Sequence, residues 1–145
     1  MTAADQPVRQ TLAAYQAAVL AKDVDAFVAI YADDAQIFEL WGRWEHDIAS
    51  WREMAQGWFK FLGDERSVVE AHDVCTQVSG DMALLTASLT YRAVDPSGQE
   101  LRSLDNRLSW VLRERGGRWL VVHEHTSVPI AHDGGKGIFK RPAAA

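Results

Sequence analysis

The chain of 145 residues has one cysteine, Cys75, so no intramolecular disulfide can form and the staple expected of small secreted domains is missing. A reducing compartment fits this best. The opening MTAADQPVRQ lacks a cationic start followed by an apolar block, so the expected location is the cytoplasm. No run approaches the roughly 20 apolar residues of a spanning helix, so no membrane partner is expected. Positive charge is also in short supply. Fifteen Lys and Arg against twenty Asp and Glu leave a net charge of −5, with no broad basic surface to neutralise phosphates, so nucleic acid is not an expected partner. The sequence has no GxSxG elbow, no GxGxxG after a strand and no CxxC. Gly134-Gly135-Lys136-Gly137 falls after the final strand, the wrong context for a phosphate-cradling loop. Chemistry without a cofactor is therefore the simplest enzymatic expectation.

What is present is the composition of one folded domain: 48% hydrophobic residues, 24% charged residues and six tryptophans. Tryptophan carries much apolar area at small entropy cost, which suits a core, a subunit interface or a pocket for an apolar molecule. From Asp5, the residues Val8, Leu12, Tyr15, Ala18 and Val19 recur at helical spacing and predict a helix ending near Lys22. Asp23 is a plausible N-cap for a short second helix through Phe27 and Ile30. Ala35 to Leu40 reads as a short strand, and Trp41 to Asp47 as an aromatic-rich loop. Ile48 to Leu62 keeps the helical period, with Gly63 as its C-cap. Turn signals then divide the remainder into four strands, Val68 to Val78, Met82 to Ala93, Glu100 to Glu114 and Trp119 to Val128. Three helices and an antiparallel meander make an α+β fold in which the helices cover one sheet face. Long strands with apolar side chains on both faces would need a second cover, which predicts a homodimer. The domain spans 1–131, and the tail 132–145 has little to pack and is expected to be mobile.

Two strands carry polar groups in patterns that leave alternatives open. The last alternates Trp119, Val121, His123 and His125 against Leu120, Val122, Glu124 and Thr126. Either side can face a cavity. His123 and His125 on one face are compatible with metal ligation if His72 or Glu70 approaches, but nothing in the spacing demands it, and no metal is expected. In the strand before, the clearly apolar face holds Leu108, Trp110 and Leu112, which by itself exposes Arg107 and Ser109.

The segment YQAAVLAKDVDAFVAIYADDAQIFE, Tyr15 to Glu39, resembles the opening of the NTF2-like superfamily, the group holding ketosteroid isomerases and SnoaL-like polyketide cyclases. The order of elements agrees. GGRWLVVHEHTSVP, Gly116 to Pro129, resembles the last strand of SnoaL-like domains and of the association domain of calmodulin-dependent kinases. The resemblance implies a curved antiparallel sheet wrapped around the first helix, with a pocket between them, and pairing of two chains through their sheets.

The resemblance also implies a site. Glu39 falls where the isomerases keep their general base and Tyr15 where they keep an oxyanion-donating phenol; these isomerases are themselves the reference case for such pKa tuning. A shielded carboxylate removes a proton beside a carbonyl, while a phenol stabilises the oxygen charge that develops. Their second donor, a protonated Asp, corresponds to Ser109 here. Arg107 is placed facing inward, where it would need Glu124 or Glu39 as a partner. Val122, Glu124 and Thr126 are placed toward the cavity, and His123 and His125 toward a partner subunit. Trp41 and Trp44 could form a lid over a flat ligand or pack on the third helix, and His46 or His125 could relay a proton. The base remains open between Glu39 and Glu124. The expected function is binding of a small apolar or carbonyl-containing molecule, with isomerisation, cyclisation or dehydration as the reaction, or else a non-enzymatic binding or association role.

Overall fold

The structure, a computed structural model, describes residues 2–143. Helix α1 spans Asp5–Ala21 and buries Val8, Leu12, Tyr15, Ala18 and Val19, the stripe its periodicity marks. It stops where Lys22 turns left-handed and its N–H returns to Ala18 and Val19. The Asp23 side chain accepts from Ala26 N at 3.0 Å and caps the short α2, Val24–Val28. Strand β1, Tyr31–Phe38, begins four residues before the sequence-expected start. The acidic pair Asp33-Asp34 is exposed at an irregularity in this strand, with Asp34 2.8 Å from Arg115, so the two charges stay in solvent while the backbone remains extended. Helix α3, Ile48–Leu62, is capped by Asp47 at its start and Gly63 at its end.

Four strands follow: β2 Arg66–Ser79, β3 Met82–Val94, β4 Glu100–Arg115 and β5 Arg118–Ser127. They form an antiparallel meander. The curved sheet has the order β1-β5-β4-β3-β2, because β1 adds to the free edge of β5 in parallel. That parallel edge departs from the all-antiparallel expectation. It is a non-local pairing that no turn signal in the sequence announces.

Alternation decides which side of the sheet the helices cover. On β3, Ala83, Leu85, Ala87 and Leu89 are buried, and on β4, Leu108, Trp110 and Leu112. The other side carries Ser88 and Arg92 on β3, and Arg107, Ser109 and Arg113 on β4, none of them buried. This outward face is more polar than strands apolar on both sides would produce.

Phe27, fully buried, sits at the centre of the helical layer. Its ring lies 5.6 Å from Tyr15 and Tyr31, 5.8 Å from Trp51 and 6.0 Å from Phe59, measured between centroids. Edge and tilted contacts of this kind add to simple area burial. Phe27→Ala is expected to lower unfolding stability by about 3–5 kcal/mol in chemical denaturation, since four rings held by other elements cannot collapse into the space.

Candidate active site

A cavity of about 760 Å³ opens between α3, the end of β1 and the inner face of β3, β4 and β5. Trp51, Met54, Trp58 and Leu62 of α3 supply much of its apolar wall. Its polar groups include Glu39, His46, Tyr15, Tyr91, Asn106, Glu124 and Thr126, with Arg43 and Arg102 also in the wall. Few polar groups within an apolar surface is the pattern of a site that orients a small molecule.

Glu39 follows the last residue of β1, where the chain leaves the sheet. Three hydrogen bonds bracket it. Ile37 and His46 exchange backbone bonds at 3.0 and 2.8 Å, closing the intervening loop, and Leu40 N donates to Thr126 Oγ1 at 3.1 Å. Gly42, at φ +66°, supplies a left-handed turn within that loop. The Glu39 side chain is only 14% exposed and has no hydrogen-bond partner among the described residues; the His46 ring lies beside it, with Nε2 at 3.9 Å. Burial, and then the nearby Glu124 carboxyl, push its pKa up to about 7. His46 is itself buried, with Nδ1 3.0 Å from Ser50 Oγ. Burial, assisted by Arg43, lowers its pKa and favours the neutral ring.

Glu124 is the second acid, 3% exposed on β5. Its Oε1 accepts from Tyr31 OH at 2.6 Å and from Trp110 Nε1 at 2.8 Å, Trp110 being its cross-strand neighbour on β4. Burial raises its pKa, although both hydrogen bonds oppose the shift. Tyr15 on α1 faces the same cavity, and its hydroxyl lies 2.7 Å from that of Tyr91 on β3. Either oxygen can donate, and burial raises both pKa values, so both phenols hold their protons at neutral pH.

The geometry thus brings together Glu39, Tyr15, Glu124, His46, Trp41 and Thr126, and excludes five residues that the sequence reading placed in the site. Arg107 is exposed on the outward face and donates from Nε to Ser127 Oγ at 3.1 Å, so it meets neither acid. Ser109 and His125 are exposed and pair across strands on that same outward side, the face their own alternation predicts. Val122 is displaced by a β-bulge: Val111 pairs with His123 and Leu112 with Val121, so Val121 is buried and Val122 sits unpaired between. Trp44 is 95% exposed and forms no part of the wall. The imagined approach of His72 or Glu70 to His123 and His125 fails on strand order, because β2 lies three strands, about 14 Å, from β5. Among the described residues no cluster of three His, Cys, Asp or Glu gathers at metal-binding distance.

Among the cavity residues that escaped the sequence reading are Tyr91 and Asn106. Tyr91 continues the odd-numbered apolar stripe of β3, and Asn106 interrupts the even-numbered stripe of β4, its Oδ1 buried without a partner among the described residues. A polar group on an otherwise apolar stripe was the available signal.

The Glu39 shift has a stability consequence. Its pKa is raised from 4.5 to about 7 in the folded state, so between those values the native chain binds the proton that the unfolded chain has released. Folding is then opposed increasingly as pH rises through that window. Glu39→Gln is expected to be more stable than the parent by about 2 kcal/mol above pH 7, and to lose that advantage below about pH 4.5, in urea titrations across pH.

Residues 8–131 match the SnoaL-like domain family. Among curated proteins, none matches the sequence. Among solved structures, an NTF2-like protein of unknown function from Pseudomonas putida KT2440 superposes with a TM-score of 0.84 at 24% identity, over 99% of each chain. The protein Aln2 from a Streptomyces species gives 0.76 at 11% identity, over 87% of this chain and 90% of that one. An NTF2-like protein with a cystatin-like fold from Novosphingobium aromaticivorans gives 0.72 at 17% identity, over 89% and 82%. At such identities these structures bear on the fold, and the family match covers most of the sequence: the chain belongs to the SnoaL-like domain family and has the NTF2-like α+β fold.

Proposed function

We propose that this SnoaL-like domain binds a flat, largely apolar carbonyl compound in the cavity and moves a proton on it without a cofactor. The observation that carries this reading is the placement of Glu39: a mostly buried carboxyl on the cavity wall with no hydrogen-bond donor among the described residues, where burial pushes its pKa up to about 7. A base poised near the working pH combines a useful ionised fraction with strong proton affinity. Glu124 suits that role less well, because the Tyr31 and Trp110 donors on its Oε1 hold it to the sheet and weaken its proton affinity.

In the proposed step the Glu39 carboxylate takes a proton from carbon beside the ligand carbonyl. The C–H electron pair becomes the new carbon–carbon double bond, and the carbonyl π pair moves onto oxygen. The Tyr15–Tyr91 pair has two protons and one shared bond, so one hydroxyl proton is left to stabilise that oxygen. Where the ligand is a β,γ-unsaturated ketone the enolate is a conjugated dienolate: Glu39 returns its proton to the γ carbon, the oxygen pair re-forms the carbonyl and the double bond shifts next to it, giving isomerisation. In a β-hydroxy ketone the oxygen pair re-forms the carbonyl, the enolate double bond becomes the α,β bond and the β-hydroxyl leaves as water with the Glu39 proton; with a second carbonyl in reach the α carbon bonds to it, closing a ring, and the Glu39 proton goes to the new alkoxide. Trp51 and Trp58 line the cavity and supply aromatic surface for such a ligand. A non-enzymatic carrier using the same cavity is the alternative. Pairing of two chains through the outward sheet face belongs to this reading as well, supported by the half-exposed Met82 and Leu84 on β3.

Deuterium uptake from heavy water into a panel of cyclic enones, β,γ-unsaturated ketones and hydroxyketones tests the proposal by NMR. The expected result is catalysed exchange on at least one of them, slowed about 10²–10⁴-fold in Glu39→Gln and about 10²-fold in Tyr91→Phe. The rate should rise with pH and level off above about 7, as the carboxyl becomes the base. Equal exchange by the parent and Glu39→Gln, or none by the parent on any compound, would overturn the enzymatic reading.

A further inference from the structure

Beyond β5 the chain turns back on itself. Ala131 N donates to Lys136 O and Ile138 N to Pro129 O, each at 2.8 Å, so Gly134 and Gly135 lie at the tip of a short hairpin. The hairpin carries Phe139 to a part of the sheet that β5 leaves open. β5 pairs with β4 only from Arg107 onward, and just before it Asp105 N donates to Phe139 O at 2.7 Å. Arg141 N donates to Asp105 Oδ2 at 2.8 Å, and Lys140 Nζ to Ser103 O at 2.7 Å. Within the tail 132–145, expected to have little to pack, Phe139 to Arg141 therefore have a defined seat against β4; residues 144 and 145 lie outside the described residues.

That seat is beside the cavity. Phe139 lies flat on the Trp41 indole, with centroids 5.1 Å apart and planes inclined by 8°. Trp41 and Ser103 both belong to the cavity wall, and the Trp41 side of that wall is a loop half open to solvent, Trp41 itself being 49% exposed. The Phe139 ring also packs on Gly137, where a Cβ would come within 2.8 Å of a ring carbon and 3.2 Å of the Val128 side chain. Space therefore accounts for a glycine at 137. The Gly134-Gly135-Lys136-Gly137 segment, idle as a phosphate loop, serves here to bring the ring down on Trp41.

We propose that residues 129–141 form a clasp on the mouth of the cavity. Phe139 is a positioning residue that holds Trp41 in place and so controls how readily, and how bulky, an apolar ligand enters. This rests on the reading of the cavity as the ligand site. A stack of this kind biases an equilibrium by about 2- to 10-fold, so releasing it should shift the open population of the 40–45 loop by that factor.

Hydrogen exchange of the full chain provides a test that needs no ligand, with Leu40 N and Arg43 N as reporters of the loop. In Phe139→Ala, exchange at 40–45 should accelerate about 2- to 10-fold while β2 to β5 keep their protection, and Phe139→Trp should restore the parent rate. Stopped-flow association of 8-anilinonaphthalene-1-sulfonate should quicken by a similar factor in Phe139→Ala alone. Unchanged loop exchange, acceleration spread uniformly over the sheet, or no recovery in Phe139→Trp overturns the clasp. A faster loop with unchanged dye association, or no dye binding in any variant, overturns its control of entry. The exchange result does not depend on whether Glu39 is a base, so the two proposals can fail separately.

Discussion

A carboxyl group buried in the cavity wall is the constraint on which the arrangement of the polar groups in this fold rests. Glu124 accepts from Tyr31 on β1 and Trp110 on β4 at one oxygen, and so joins three neighbouring strands through a single buried atom. A buried acid is tolerated only when its lone pairs are met or its charge is suppressed, and here both means operate: two donors reach it, while burial raises its pKa. Its influence extends outward. The same carboxyl contributes to the raised pKa values of Glu39, Tyr15, Tyr31 and Tyr91, so the polar groups of the cavity behave as one coupled set.

Two acids in one cavity acquire different characters through their neighbours. Glu124 is enclosed by donors that belong to the sheet and cannot leave. Glu39 stands at the point where β1 ends, held by backbone bonds on either side of it and not by partners of its own carboxyl. A mostly buried carboxyl without donors of its own is harder to ionise, which is why its pKa stands so far above that of a free glutamate. The cost falls on a strand end and loop, where the core of the sheet does not depend on it.

Much of the fold was legible in the sequence because it is written in periodicity and punctuation. The stripe Val8, Leu12, Tyr15, Ala18 and Val19, the caps Asp23 and Gly63, and the turns at Gly80, Gly98 and Gly116 place α1 to α3 and β2 to β5 within a few residues of their observed ends. The site was legible in part, and the failures share a cause. Arg107 and Ser109 follow the outward alternation of their own strand, and a register borrowed from relatives misplaced them. Val122 was misplaced because one bulge reverses the side on which a residue falls. Tyr91 and Asn106 were visible as polar interruptions of apolar stripes, and went unread because no familiar motif pointed to them.

By itself the sequence determined the α+β class, its helices and four long strands, and the types of titratable residue available, since these follow from local patterns of side chains. Only the tertiary structure decided that β1 lies parallel to β5, that Glu124 accepts two hydrogen bonds while Glu39 accepts none among the described residues, and that Phe139 returns to Trp41. Each of these depends on groups far apart in the chain being brought within a few ångströms. Hydrogen bonding, desolvation and ring stacking are short-ranged in space, with no regard for separation along the sequence.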